Sequence, residues 1–248
     1  MNIGIISKIL RLDKALNFIN ISEKKITITY HISTSLMEYI FSKTSEKLPK
    51  TALHICTTQI VRVIQMSDKG LHHLLKSMKN DAMTHNHSVN VAFLASLVGK
   101  ELRYSPQQMF ELTYAALLHD IGKIRVEIKI LEKQKISYYS EFQLMKQHPE
   151  YSCSILQNNG IINHHILNAV LQHHERLDGT GYPKRLEKNE INEYARIIHV
   201  CDIFDTLTNT SFGDRFTCYE TFMIVKGELL HTIDYRFINI LIRLMHSH

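Results

Sequence analysis

Tryptophan is absent from this 248-residue chain, and proline (four) and glycine (nine) are sparse. So few turn-formers argue against an all-β chain and for long helices. No apolar run approaches the ~18 residues of a membrane-spanning helix, so none is expected. The N-terminus reads MNIGIISKILRLDK. It has one apolar stretch, but neither a charged region before it nor a small-residue cleavage site, so no secretory leader is expected. The four cysteines, Cys56, Cys153, Cys201 and Cys218, form no CxxC pair. They read as reduced, mostly core residues of a cytoplasmic protein. Charge of one sign is also scarce. The net +5 is spread along the chain and makes no patch or stripe of the kind that binds a nucleic-acid polymer. It does suit a small phosphate-bearing substrate. The apolar fraction of 44% is enough for a core. What the chain has in excess is histidine, sixteen in all.

Residues 1–70 differ in pattern from the rest and read as a small α/β or α segment of unknown function, with a sensory region, a dimerising region or a remnant of one as the alternatives. Within it KKITITYHIS (24–33) alternates apolar and polar residues and predicts a strand. HICTTQIVRVIQ (54–65) is β-branched and fits a strand or a helix. From about residue 71 to 248 the pattern is helical. HSVNVAFLASLVGKEL carries a stripe of His87, Val91, Leu94, Ala95 and Val98. SPQQMFELTYAALLHD follows, with Ser105 as N-cap and Gly122 as the stop beyond its end. Further helices are expected over 163–174, 190–209 and 234–246, with shorter ones over 139–147 and 150–158. The fold class is therefore mainly α.

Four of these helices carry His or Asp on the same stripe as their core residues. A single buried histidine usually finds an ordinary hydrogen-bond partner. The same feature on four helices points to one shared site, because such groups are costly to bury unless paired or metal-bound. The candidates are His87, the adjacent His119 and Asp120, His148, the adjacent His173 and His174, and Asp202. They are imidazoles and carboxylates without a cysteine, a donor set that suits iron, manganese or zinc. Seven groups suffice for two metals if Asp120 bridges them, and a two-metal site suits phosphoester hydrolysis. Lys123, three residues after Asp120, is placed to neutralise charge building on a phosphate. The adjacent pairs His72-His73 and His164-His165 lack a matching acidic partner and, with His85, His199 and His231, read as surface or incidental.

HDIGK (119–123) resembles the signature of the metal-dependent HD phosphohydrolases, and HHERLDGTGYP (173–183) resembles the defining motif of their HD-GYP branch. HSVNVA (87–92), KQHPEYS (146–152) and ARIIHVCDIFDTLTN (195–209) are similar to that branch in order and spacing, so the resemblance covers roughly 70–245. It implies an HD-type helical bundle around a metal centre and phosphodiesterase activity on cyclic di-GMP, giving the linear dinucleotide pGpG or GMP. By position it implies His87, His119, Asp120, His148, His173, His174 and Asp202 as metal ligands, with Asp120 bridging. Lys123 would contact the scissile phosphate. Gly179, Gly181, Tyr182 and Pro183 would form part of the substrate rim, which in relatives also touches diguanylate cyclase (GGDEF-domain) partners. A homodimer is compatible with this reading.

Three departures refine these expectations. Members with a three-metal centre have a glutamate where this chain has Met83, so two metals, Fe or Mn, are expected here. The arginine-rich stretch that reaches substrate in the family aligns with Ser211-Phe212-Gly213-Asp214-Arg215, where Arg215 alone could substitute in a shifted register. Glu127 stands where a proline is usual. The ligand set is thus complete and the substrate clamp altered. Beside the active cyclic di-GMP enzyme, this leaves a catalytically weak signalling module and a hydrolase of another cyclic dinucleotide as alternatives.

Overall fold

Where the sequence alternates over 24–33, the chain forms a helix and not a strand: α1 spans Ser22–Phe41. The alternation of Ile26, Ile28, Tyr30 and Ile32 is too short to decide the period. Buried positions run Ile26, Thr29, Tyr30, Ser33, Met37 and Ile40, spaced by three and four, while Ile28 and Ile32 stay half-buried. The hydroxyls of Thr27, Thr34 and Ser35 donate to carbonyls four residues back, which absorbs the polar groups that favour other conformations. The second ambiguous stretch is also helical, as α2 (Lys50–Gln65).

This computed structural model describes residues 7, 9, 22–43, 46–67, 74, 84–126, 138–209 and 217–246. Beyond α2 come α3 (Thr84–Glu101), α4 (Pro106–Leu118), α5 (Tyr138–Met145), α6 (His148–Asn158), α7 (His164–Gln172), α8 (Glu193–Asn209), α9 (Cys218–Ile224) and α10 (Tyr235–His246). A 3-10 turn at Lys188–Glu190 precedes α8, and α9 continues as a π-helical turn, Val225–Leu229. Among the described residues the only β-type pairing is one isolated bridge, Asp178 to Glu187. None of the described helices is long and apolar enough to cross a membrane.

Helix α3 is the axis of the bundle. It packs against α1, α2, α4, α8 and α10. Its stripe is accordingly wider than the sequence suggests, since every residue from 88 to 99 is buried. Ser105 caps α4 as expected. Its Oγ accepts from the Gln108 amide at 3.3 Å, and the Gln108 side chain accepts from the Ser105 amide at 3.0 Å, a reciprocal box. The same device starts α9 through Thr217 and Glu220, a helix the periodicity did not reveal.

The core is continuous across the chain. Ile26, Tyr30 and Met37 of α1 belong to the same buried cluster as Val91, Leu94 and Val98 of α3 and Phe204 of α8. Gly122 does not stop α4. That helix ends at Leu118 with His119 as its C-cap. Gly122 instead lets the following turn press onto the start of α6, where a Cβ would meet the His148 carbonyl oxygen at 2.1 Å and the Ser152 amide at 2.5 Å.

Candidate metal centre

Three histidines sit beside helix C-termini, and each is held in the same way. His119 follows α4, His173 follows α7, and His148 opens α6 three residues beyond the last residue of α5. Their Nδ1 atoms lie 2.7 Å from the carbonyl oxygens of Ala116, Val170 and Met145, each three residues back. Carbonyls in a last helical turn lack partners within the helix. A carbonyl only accepts, so each ring carries its proton on Nδ1 and turns the Nε2 lone pair inward.

Those lone pairs converge. Nε2 of His148 and Nε2 of His173 are 3.1 Å apart. With both rings protonated on Nδ1 this is lone pair facing lone pair, an arrangement that a cation between them relieves. Asp120 Oδ1, another acceptor, lies 3.1 Å from His148 Nε2 and 3.9 Å from His173 Nε2. Its Oδ2 lies 3.3 Å from His119 Nε2, 3.8 Å from His87 Nε2 and 2.6 Å from Lys123 Nζ. His119 Nε2 and Asp120 Oδ1 are buried without a hydrogen-bond partner. Native interiors rarely leave such atoms unsatisfied. Buried acceptors converging on one space fit a metal site.

Burial would raise the Asp120 carboxyl, but His119, Lys123 and His148 hold it well below the usual carboxylate range. Burial pushes His173 and His174 well below the ordinary imidazole value, with neighbouring imidazoles adding to the shift at both. His87 differs. Burial would lower it, but Asp202 and Asp205 raise it to about 10. Its Nε2 is 3.1 Å from Asp202 Oδ1 and its Nδ1 is 2.7 Å from Asp205 Oδ2.

Two sets of candidate ligand atoms each lie within 4.8 Å of one another: Asp120, His148, His173 and His174, and His87, His119 and Asp120. Asp120 belongs to both, with one oxygen facing each set. Asp202 stands at the edge, within reach of His87 and, at 3.9 Å, of His174. All seven residues singled out by sequence therefore come together from five places in the chain. Lys123 lies at the mouth, partly exposed, with its ammonium donating to Asp120.

His199 is a correction. It is not a surface residue but buried on α8, three residues before Asp202. Its Nδ1 donates to the His173 carbonyl at 2.8 Å, and its buried Nε2, which has no hydrogen-bond partner, forms a third set with His174 and Asp202. Its spacing of three from Asp202 was the available signal. Sequence reasoning also left Asp205, Asn90 and Glu175 without a role.

Glu175 holds the loop after the paired histidines. Its buried carboxylate accepts from the backbone amides of Lys184 at 2.6 Å and Leu186 at 3.0 Å. Gly179 adopts a φ of +75°, the left-handed region, as its place in the turn requires. Gly181 is buried against the chain, where a Cβ would meet the Arg176 amide nitrogen at 2.4 Å. Tyr182 and Pro183 are half-buried, and the Tyr182 ring stacks on His174 with centroids 4.8 Å apart. Lys146 reaches over the same ring from α5's end, its Nζ 5.6 Å from the Tyr182 centroid. Met83, Glu127 and the segment 211–215 with Arg215 lie outside the described residues.

Replacing Glu175 with Gln keeps its size but turns one acceptor into a donor facing an amide. An unsatisfied buried group costs about 1–3 kcal/mol. The expected result is at least about tenfold faster exchange of the Lys184 and Leu186 amides, with metal content unchanged, since about 1.4 kcal/mol is tenfold in an opening equilibrium. Hydrogen exchange read by mass spectrometry checks this. Unchanged protection in residues 180–187 would contradict it.

A helical bundle that gathers histidines and aspartates from successive helix ends around an HD pair is the architecture of the HD domain. Residues 69–234 match the HD domain family, and the chain belongs to it. It is 35% identical over 136 residues to a cyclic di-GMP phosphodiesterase of Pseudomonas aeruginosa, covering 55% of this chain and 33% of that protein. It is 38% identical over 130 residues to a cyclic di-GMP phosphodiesterase of Thermotoga maritima, covering 52% and 35%. A 3'3'-cGAMP-specific phosphodiesterase of Vibrio cholerae is 38% identical over 149 residues, covering 60% and 32%. The chain thus spans about a third of the length of these relatives. In fold it is similar to an HD-GYP-type protein from Bdellovibrio bacteriovorus, with a TM-score of 0.71 at 17% identity over 92% of this chain and 73% of that one.

Proposed function

We propose that this chain is a metal-dependent phosphodiesterase that hydrolyses cyclic di-GMP to pGpG or GMP in the cytosol, with two divalent ions, Fe or Mn, in the centre. The observation that carries the reading is Asp120, whose two oxygens face two different sets of histidines. His87, His119 and Asp202 would hold one ion and His148, His173 and His174 the other, with Asp120 shared. Nitrogen and oxygen donors without a thiolate suit these metals. When bound, a pair of such ions would supply Lewis acidity toward the phosphoryl oxygens and the attacking water.

The chain's own residues do the rest. Backbone carbonyls keep three imidazoles in the ligating tautomer, so little reorganisation accompanies loading. Lys123 places an ammonium at the mouth, where charge on a scissile phosphate grows. Tyr182 and Pro183 would line the substrate rim beside the closely packed Gly181. The residues 184–190 after them, exposed but for the half-buried Leu186, offer a surface for a GGDEF-domain partner. Arg215 would be a further substrate contact.

A second substrate, 3'3'-cGAMP, is favoured by the Vibrio relative, which is as similar to this chain as the Thermotoga enzyme. Anaerobic purification with iron or manganese, metal counting, and turnover of both dinucleotides on one sample test the proposal. About two ions per chain with faster cleavage of cyclic di-GMP is the expected result. Preferred cleavage of 3'3'-cGAMP would reassign the substrate. Two ions without product would leave a binding module, and fewer than one ion would overturn the metal centre.

A further inference from the structure

His199 is held in the manner of the candidate ligand histidines. Its Nδ1 donates to the His173 carbonyl at 2.8 Å, just as Nδ1 of His119, His148 and His173 each meets a backbone carbonyl. The ring therefore carries its proton on Nδ1, and Nε2 is left as an acceptor. That Nε2 has no hydrogen-bond partner, and the residue is only 7% exposed. Buried acceptors of this kind are rare and costly. On α8, His199 precedes Asp202 by three residues, so the two share a face. His174, His199 and Asp202 each offer a ligand atom within 4.8 Å of the others. Asp202 turns its two oxygens different ways. Its Oδ1 is 3.1 Å from His87 Nε2, and its Oδ2 is 3.9 Å from His174 Nδ1.

We propose that His199, Asp202 and His174 form a third cation site at the open edge of the centre, weaker than the two sites above and suited to a divalent ion such as Mn2+. The proposal rests on the metal reading above. Imidazole nitrogen and carboxylate oxygen are the donor types of the other two sets as well. Asp202 would bridge here as Asp120 does further inside. The side chains of His174 and Asp202 are 22% and 14% exposed, so an ion can reach this edge and keep water ligands. Three features make the site the weakest. A neutral imidazole has one lone pair, so His174 serves either this ion or that of His148 and His173. Asp202 is shared with His87. The exposed Arg176 also places a positive charge near His199. The two inner ions therefore load first, and occupancy of the third follows the free ion concentration. The expectation of two metals rests on Met83, whereas the extra donor comes from α8. The count of two in a purified chain is unaffected, since a weak third ion leaves on desalting.

The test is a Mn2+ titration of the full chain, with the free ion read by electron paramagnetic resonance. The wild type should bind two equivalents tightly and a third more weakly. His199→Asn is the discriminating variant. Its short amide can still donate to the His173 carbonyl from about where Nδ1 stood, while the Nε2 acceptor is gone. Losing a group that orients a ligand lowers metal affinity by roughly 10–100-fold, and losing the ligand itself should cost no less. The third equivalent is thus expected to weaken at least about tenfold, with the first two unchanged. A third equivalent that survives His199→Asn would be an adventitious surface ion. That result, or a wild type that saturates at two, would overturn the third site while the two-metal reading stands. Loss of a tight equivalent in a folded His199→Asn would place His199 in the two-ion centre and overturn the third site as well. A wild type that takes up no Mn2+ would overturn both readings.

Discussion

Alanine at Asp120 should reduce turnover of cyclic di-GMP by more than about a thousandfold, because losing several kcal/mol of metal-borne stabilisation has that effect on rate. The reason is geometric. One carboxylate serves both sets of histidines, with Oδ1 toward His148 and His173 and Oδ2 toward His119 and His87. No single histidine has that position, so its removal opens both sets together. Asp120→Asn is the sharper companion. It keeps the shape but replaces one oxygen with an amide that cannot ligate, so metal content should fall by about one ion per chain. Metal counting and turnover on the same samples check both variants, with circular dichroism to show that the helices survive. Turnover within tenfold of wild type in the alanine variant would remove Asp120 from the centre.

Substitution of Gly122 by alanine should cost stability and metal together. The added Cβ would stand 2.1 Å from the His148 carbonyl oxygen and 2.5 Å from the Ser152 amide nitrogen. Both are backbone atoms and cannot swing away as a side chain can. The turn is also clasped to α6 by Ser152, whose hydroxyl accepts from the Gly122 amide at 2.8 Å and donates to the His119 carbonyl at 2.7 Å. Relief therefore requires α6 to move, and His148 to move with it, away from His119 and Asp120. Overpacking of this kind costs about 1–3 kcal/mol or more, a fall in Tm of roughly 3–10 °C for a chain of this length. Gly227 is the control, since a Cβ there meets nothing within 4 Å. Gly227→Ala should stay within about 0.5 kcal/mol of wild type. Thermal unfolding of the two variants side by side decides the matter, and equal Tm values would refute the packing argument.

The seven candidate ligands could be read from sequence because each stands in a short motif, and most lie on a helix stripe where a His or Asp among apolar neighbours is conspicuous. Asp205, Asn90 and Glu175 stand in the same motifs, but nothing in the motifs names their partners. Each acts by accepting or donating hydrogen bonds to a group remote in sequence, and Tyr30 to Asn90 spans 60 residues. Their roles exist only once α1, α3 and α8 are packed. His199 is not conspicuous in the sequence, because its neighbours in the site, Asp202 and His174, lie one helical turn away and across the bundle. The strand expected over 24–33 failed for a different reason. Four alternating residues fit either period, and the residues that follow, Leu36, Met37 and Ile40, continue a helical spacing that buries them in the core α1 shares with α2 and α3. The helix ends, by contrast, follow from local chemistry at Ser105 and Asn163, whose side chains cap α4 and α7.

His148, His173 and Asp120 are shut off from water, and this has a kinetic side. A chelator too large to enter cannot pull an ion directly from among them. The ion must first leave through the partly exposed side of the site, past His174, Asp202 and Lys123. Its rate of departure is then set by that exit and not by the strength or concentration of the chelator. The side that admits a substrate is thus also the side by which the centre empties.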